Sequence, residues 1–206
     1  PRTLHCFHVL NMTFPNDDSI KRIFGAMINS HLTTFDEEIK PLGDLMTGAT
    51  LEIYLKLASD LLPTPDKPHY LFNLRDISRV FQGVLQSDKD HCDSRDGMLR
   101  LWVHEMNRAF SDRFTNTPDK DFFDTLLDEK LTASFQSGLK AIYKTEPMPF
   151  GDFMVEAPEG KRAPYEEITD KKALKTFMEE KLEDLNMEPG VQVMDLVMFS
   201  DAISHV

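Results

Sequence analysis

The chain has 206 residues, 41% of them hydrophobic and 28% charged, which is globular composition and enough length for one or two cored units. A formal net charge of −12 argues against nonspecific nucleic-acid binding, which needs a basic surface. No apolar run approaches the roughly 20 residues of a membrane-spanning helix, so neither nucleic acid nor a membrane is expected as a partner.

No basic-then-apolar leader precedes the first segment, and the opening Pro1 fits a piece cut from something longer. Residues 5–12 are apolar and aromatic and predict a short strand, with no other convincing strand nearby to pair with it. Cys6 stands between His5 and His8, and Cys92 follows His91. Neither has the converging ligands of a zinc site, and two free thiols suit a reducing compartment.

Phe14-Pro15-Asn16-Asp17-Asp18-Ser19 supplies a break, a capping side chain and first-turn acids. Ile20, Ile23, Phe24, Met27, Ile28 and Leu32 follow at helical spacing. Pro41 and Gly43 punctuate the chain before a second stripe of Leu51, Tyr54, Leu55, Ala58, Leu61 and Leu62. Pro63, Pro65 and Pro68 make a stiff connector.

An extended approach from Pro68 then leads into an amphipathic helix. Leu74, Ile77, Phe81 and Val84 form its apolar stripe, and Arg75, Arg79 and Gln82 share the opposite one. A helix that packs by one face and aims guanidinium groups from another is built to touch phosphate oxygens. The plainer alternative is a surface helix with solvated arginines. After a polar loop at 86–97, Leu99, Trp102, Val103, Met106, Phe110 and Phe114 mark the inner face of the next helix. Asn116-Thr117-Pro118 marks a stop and a restart, with Phe123, Leu127, Leu131 and Phe135 beyond it. Residues 144–170 are rich in Pro, Gly and acids yet carry Phe150, Phe153, Met154 and Tyr165, which predicts a packed irregular segment rather than a disordered linker. Leu174, Phe177, Met178, Leu182 and Leu185 define a further helix, and Met194 to Ile203 a last one.

Three strings in this order carry a resemblance. The stretch from Pro68 to Gly83 resembles the sensor-II helix in the small helical subdomain of an AAA+ module of a dynein heavy chain. Arg100-Leu101-Trp102-Val103-His104-Glu105, with Arg108, Phe110 and Asp112-Arg113-Phe114, is similar to the helix that follows sensor II in the third module. Phe150-Gly151-Asp152-Phe153, Tyr165-Glu166-Glu167 and Leu196 to Ala202 are similar to the approach to the fourth module. The resemblance covers nearly the whole chain. Phe72-Asn73-Leu74 and the Phe150 string look closer to axonemal than to cytoplasmic forms, which implies cytoskeleton, in the axoneme of a cilium or flagellum.

What the resemblance implies is a mainly α fold with a residual strand at the N-terminus. Residues 1–14 would end a large α/β subdomain, 15–115 would be the helical lid, and 116–206 would open the next module. The segment would sense nucleotide and help couple ATP hydrolysis to movement along microtubules. Its partners would be neighbouring AAA+ modules of the same chain, the microtubule through the intact motor, and dynein intermediate and light chains. The cofactor of the intact motor would be ATP or ADP with Mg. By the same resemblance Arg75 matches the sensor-II arginine, which reaches the phosphates bound in its own module. From the residues alone, Arg75 could instead pair with Asp76 or Glu105. Arg2 matches an arginine finger toward the preceding module, although the second arginine common in the family is here His5. Leu196, Val197 and Met198 match the lining of the next module's adenine pocket, and core packing would explain them equally well.

The chain contains no G-x-x-x-x-G-K-[ST] loop and no spacing that suggests a catalytic triad, so no catalytic residue and no hydrolysis by the segment alone are expected. No metal site is expected either. His69 and His104 read as structural: His69 in the turn before the arginine helix, and His104 facing Arg100 and Arg108 on an outer stripe. A stand-alone helical module that binds partner helices without nucleotide is the competing reading.

Overall fold

The computed structural model describes residues 2–143, 149–155 and 162–204. The fold is mainly α. A 3₁₀ turn, Arg2–Cys6, leads without further regular structure into α1 (Asp17–Leu32), α2 (Leu42–Asp60), α3 (Leu74–Val84) and α4 (Arg95–Ala109). A second 3₁₀ turn, Ser111–Arg113, joins α4 to α5 (Thr117–Phe135), followed by the short α6 (Leu139–Ile142). Strands β1 (Phe150–Gly151) and β2 (Glu166–Glu167) pair antiparallel, Phe150 opposite Glu167, before α7 (Lys171–Met187) and α8 (Ser200–Ser204).

Local chemistry starts the helices. The Asn16 side chain accepts from the Ser19 N–H at 2.9 Å, with Asp17 and Asp18 in the first turn of α1. Ser94 caps α4 by accepting from the Gly97 N–H at 3.1 Å. Asn116 caps α5, with Pro118 in its first turn. Gln136 ends α5 in the left-handed region, φ 56°.

One core joins α1 to α6. Ile20, Phe24, Ile28 and Leu32 enter it at four-residue spacing, and Phe24 stacks on Phe81 of α3 with ring centroids 5.0 Å apart. Ile23 and Met27 lie on the flank of that ridge and remain 52% and 45% exposed, outside the buried stripe expected of them. Leu62 falls beyond the end of α2 and is exposed as well. Trp102, fully buried, donates its indole N–H to Thr50 of α2 at 2.9 Å and lies against Phe135 of α5. Phe123, Leu127, Leu131 and Phe135 of α5 share this core with α4. A second, small cluster gathers Ile168, Leu174 and Ile203, with Phe153, Met154 and Met198 against it.

Two predicted elements differ. Residues 5–12 form no strand: the 3₁₀ turn ends at Cys6 and the rest of the stretch is exposed and irregular. A strand needs a neighbour to take its backbone hydrogen bonds, and none among the described residues is placed there. The last helix begins at Ser200 rather than Met194. Gly190 turns the chain at φ 91°, and the Asn186 amide then occupies both the N–H and the carbonyl of Met194, at 2.8 and 2.9 Å, so Met194 cannot join a helical ladder.

Candidate functional site

The first turn of α3 is fixed by side chains on both sides of Arg75. Asn73, extended at φ −142° and ψ 173°, accepts the Arg75 N–H on its Oδ1 at 2.8 Å. Asp76 reaches back and accepts the Asn73 N–H on Oδ2 at 2.9 Å, closing a capping box. Asp76 is only 3% exposed, and its charge is matched from a distant element: Arg113 donates Nη2 to Asp76 Oδ1 at 2.6 Å. The same guanidinium donates to the carbonyls of Ala109 at 2.8 Å and Leu71 at 3.3 Å, and lies 5.2 Å from the centre of the Phe72 ring. A buried carboxylate so held is costly to orphan, by about 3–5 kcal/mol.

These bonds decide what Arg75 can do. Ile77, Val80, Phe81 and Val84 bury one face of α3, while Arg75, Arg79 and Gln82 line the exposed one, as their spacing predicts. Neither acid open to Arg75 on sequence grounds is paired with it. Asp76 belongs to Arg113, and Glu105 accepts from the Tyr165 hydroxyl at 2.7 Å. The Arg75 guanidinium has no ion pair among the described residues. It stands in the first turn of a helix, where the helix dipole adds to its positive field. A guanidinium so placed can donate to an anion.

The other predicted site residues lie elsewhere. Arg2 sits in the exposed 3₁₀ turn at the N-terminus. Leu196 and Val197 are 54% and 79% exposed, and Met198 is half-buried on the small second cluster rather than on the core that holds α3. His69 meets the Arg113 carbonyl with Nε2 at 2.9 Å and presents its edge to Tyr70.

A concave feature elsewhere was not visible in the residue pattern. His104, Glu105 and Arg108 of α4 face Pro149, Phe150, Gly151, Asp152, Phe153 and Tyr165 across a half-open cleft of about 270 Å³. The segment around β1 and β2 therefore covers the side of α4 that reads as an outer stripe. Arg100 grips Glu167 with Nε at 3.0 Å from each carboxylate oxygen, and Phe150 lies against His104, ring centroids 5.3 Å apart. Burial pushes Glu105 up to about 7, with the Tyr165 hydrogen bond and Arg108 opposing in part. Burial, then Arg108, pulls His104 down to about 4, so it is neutral near pH 7. Burial also raises Tyr165, helped by the charge of Glu105. One signal in the sequence could have located Glu105: a glycine, Gly83, in a helix otherwise rich in side chains. A Cβ there would collide with the Glu105 carboxylate.

Known proteins are similar in sequence to this chain over its whole length. The AAA+ lid domain family matches residues 46–143. Dynein axonemal heavy chain 2 of Homo sapiens is 44% identical over 207 residues, covering 100% of this chain and 5% of that protein. The dynein-1-beta heavy chain of the flagellar inner arm I1 complex of Chlamydomonas reinhardtii is 43% identical over 212 residues, again 100% of this chain and 5% of the relative. Dynein axonemal heavy chain 10 of Homo sapiens is 35% identical over 206 residues, with 4% of its length covered. The chain thus spans about one twentieth of the length of the relatives it matches.

Proposed function

We propose, from the premise that the chain belongs to the dynein heavy-chain family and carries its AAA+ lid, that the segment senses nucleotide through Arg75. The observation that carries this reading is the state of Arg75: exposed, unpaired among the described residues, and set in a helix turn whose neighbouring acid is taken by Arg113. A nucleotide would supply the phosphate charge. This chain would supply one guanidinium to it, and the lid would hold that guanidinium at a fixed place on α3. The chain has no phosphate-cradling loop of its own, so the reaction it serves is completed by other parts of the motor.

Within the same reading, Arg2 reaches toward the nucleotide of the preceding module, and Leu196, Val197 and Met198 line the adenine pocket of the next. Support for the latter is the exposure of the first two apolar side chains. The intact motor would use ATP or ADP with Mg. Neighbouring AAA+ modules would be its partners within the chain, and the microtubule its track. The axonemal and flagellar names of the relatives support a place in cilia or flagella.

The test is ADP affinity and ATP turnover of the intact heavy chain as wild type and Arg75→Ala. Affinity or turnover should fall about tenfold, the scale of one charge-assisted hydrogen bond. Unchanged nucleotide handling would make Arg75 a solvated surface residue and the segment a spacer.

A further inference from the structure

We propose that Arg113 is the positioning residue for Arg75: it fixes the first turn of α3 and thereby sets where the Arg75 guanidinium stands toward phosphate. The proposal rests on the sensing role given to Arg75 above.

Arg113 makes four side-chain contacts and one through its carbonyl, and together they join this turn to α4. Toward α3, it donates to Asp76 Oδ1 at 2.6 Å and to the Leu71 carbonyl at 3.3 Å, and its guanidinium plane covers Phe72. Toward α4, it donates to the Ala109 carbonyl at 2.8 Å. Its own carbonyl meets His69 Nε2 at 2.9 Å. The stretch 69–76 is therefore tied to the α4–α5 junction at side chain and backbone alike.

Arg75 lies inside the tied stretch. Its N–H is bonded to Asn73 Oδ1 at 2.8 Å, and Asn73 is in turn bonded through its N–H to Asp76 Oδ2 at 2.9 Å. Asp76 thus closes the cap through Oδ2 and takes the shorter Arg113 bond on Oδ1 at 2.6 Å, with Arg113 Nη1 also 3.5 Å from Oδ2. Without Arg113 its carboxylate would be buried and unmatched, and would have to turn toward water, opening the cap that holds Arg75. A guanidinium can serve Asp76, Leu71 and Ala109 together because its donors are arranged as a planar fork. A lysine ammonium has the charge without that fork.

The mechanical consequence is that the turn bearing Arg75 and the α4–α5 junction move as one body. A displacement of α4 or α5 would carry the sensing guanidinium with it, rather than being absorbed in the 68–73 stretch.

The experiment is a double-mutant cycle in the intact heavy chain, read as affinity for a fluorescent ADP analogue at the site that Arg75→Ala weakens. The variants are Arg75→Ala, Arg113→Lys and the two combined, each with its thermal melting midpoint. Arg113→Lys keeps a charge beside Asp76 and should still fold, yet lose about tenfold in affinity, as expected when one charge-assisted hydrogen bond to phosphate is misplaced. The combined variant should bind no more weakly than Arg75→Ala alone, since there is then no guanidinium left to place. A purely structural Arg113 would weaken binding equally in both backgrounds, and such additive losses would overturn the proposal. So would an Arg113→Lys protein that binds like wild type while Arg75→Ala does not. If Arg75→Ala itself binds like wild type, the sensing role fails first and positioning falls with it.

Discussion

Arg113 donates to Asp76 at 2.6 Å across 37 positions of chain, and this pair leaves the adjacent Arg75 facing solvent. A basic residue beside an acidic one in sequence suggests that the two neutralise each other. Here the acid points into the core and the base points out, because successive helix positions are about 100° apart and Asp76 also closes the cap.

Asp76→Ala opens the capping box and leaves the Arg113 guanidinium without its carboxylate. Stability should fall by about 3 kcal/mol, the lower end of what breaking a buried pair costs. Urea denaturation checks it. A loss under about 0.5 kcal/mol would show the pair to be energetically neutral.

Gly83→Ala places a Cβ on the Glu105 carboxylate where α3 meets α4. Overpacking of this kind should destabilise by about 1–3 kcal/mol. Gly83→Ala combined with Glu105→Ala should recover part of that loss, measured as a double-mutant cycle on the denaturation midpoint. Strict additivity of the two losses would contradict the close approach.

Glu105 gives a pH dependence with a defined sign. Its folded value is raised from 4.5 to about 7, so the folded state binds more protons in that window. Its contribution is fully present below the unfolded value and is lost as pH rises through about 7. His104 acts oppositely: its folded value is lowered from 6.5 to about 4, and stability is gained as pH rises through that range. The clean measurement is therefore a difference. Glu105→Gln should gain in melting temperature relative to wild type as pH is raised from about 5 to about 8. A pH-independent difference would mean that Glu105 ionises normally in the fold.

The two thiols should separate by reactivity. Cys6 is exposed, whereas Cys92 is buried and burial pushes its thiol up to about 11. A thiol reagent at pH near 7 should label Cys6 at once and Cys92 only when the chain is unfolded. Prompt labelling of both in native buffer would show that the loop before α4 opens readily.

The chain's own order of residues determined most of the helices and the exposed stripe of Arg75, Arg79 and Gln82. Those features depend on neighbours within a turn or two: Asn16 before α1, Pro118 at the start of α5, and the four-residue recurrence of Ile20, Phe24, Ile28 and Leu32. Only the tertiary structure decided who neutralises Asp76, why Glu105 is buried, and why His104 lies under Phe150 instead of facing water. Arg113, Tyr165 and Phe150 reach these positions from 37 to 60 residues away, along a path no local period encodes. Residues 5–12 make the same point in reverse. Their strand-like composition predicts a conformation whose hydrogen bonds must come from another segment, and where none of the described residues is placed as that partner, composition alone cannot hold a strand.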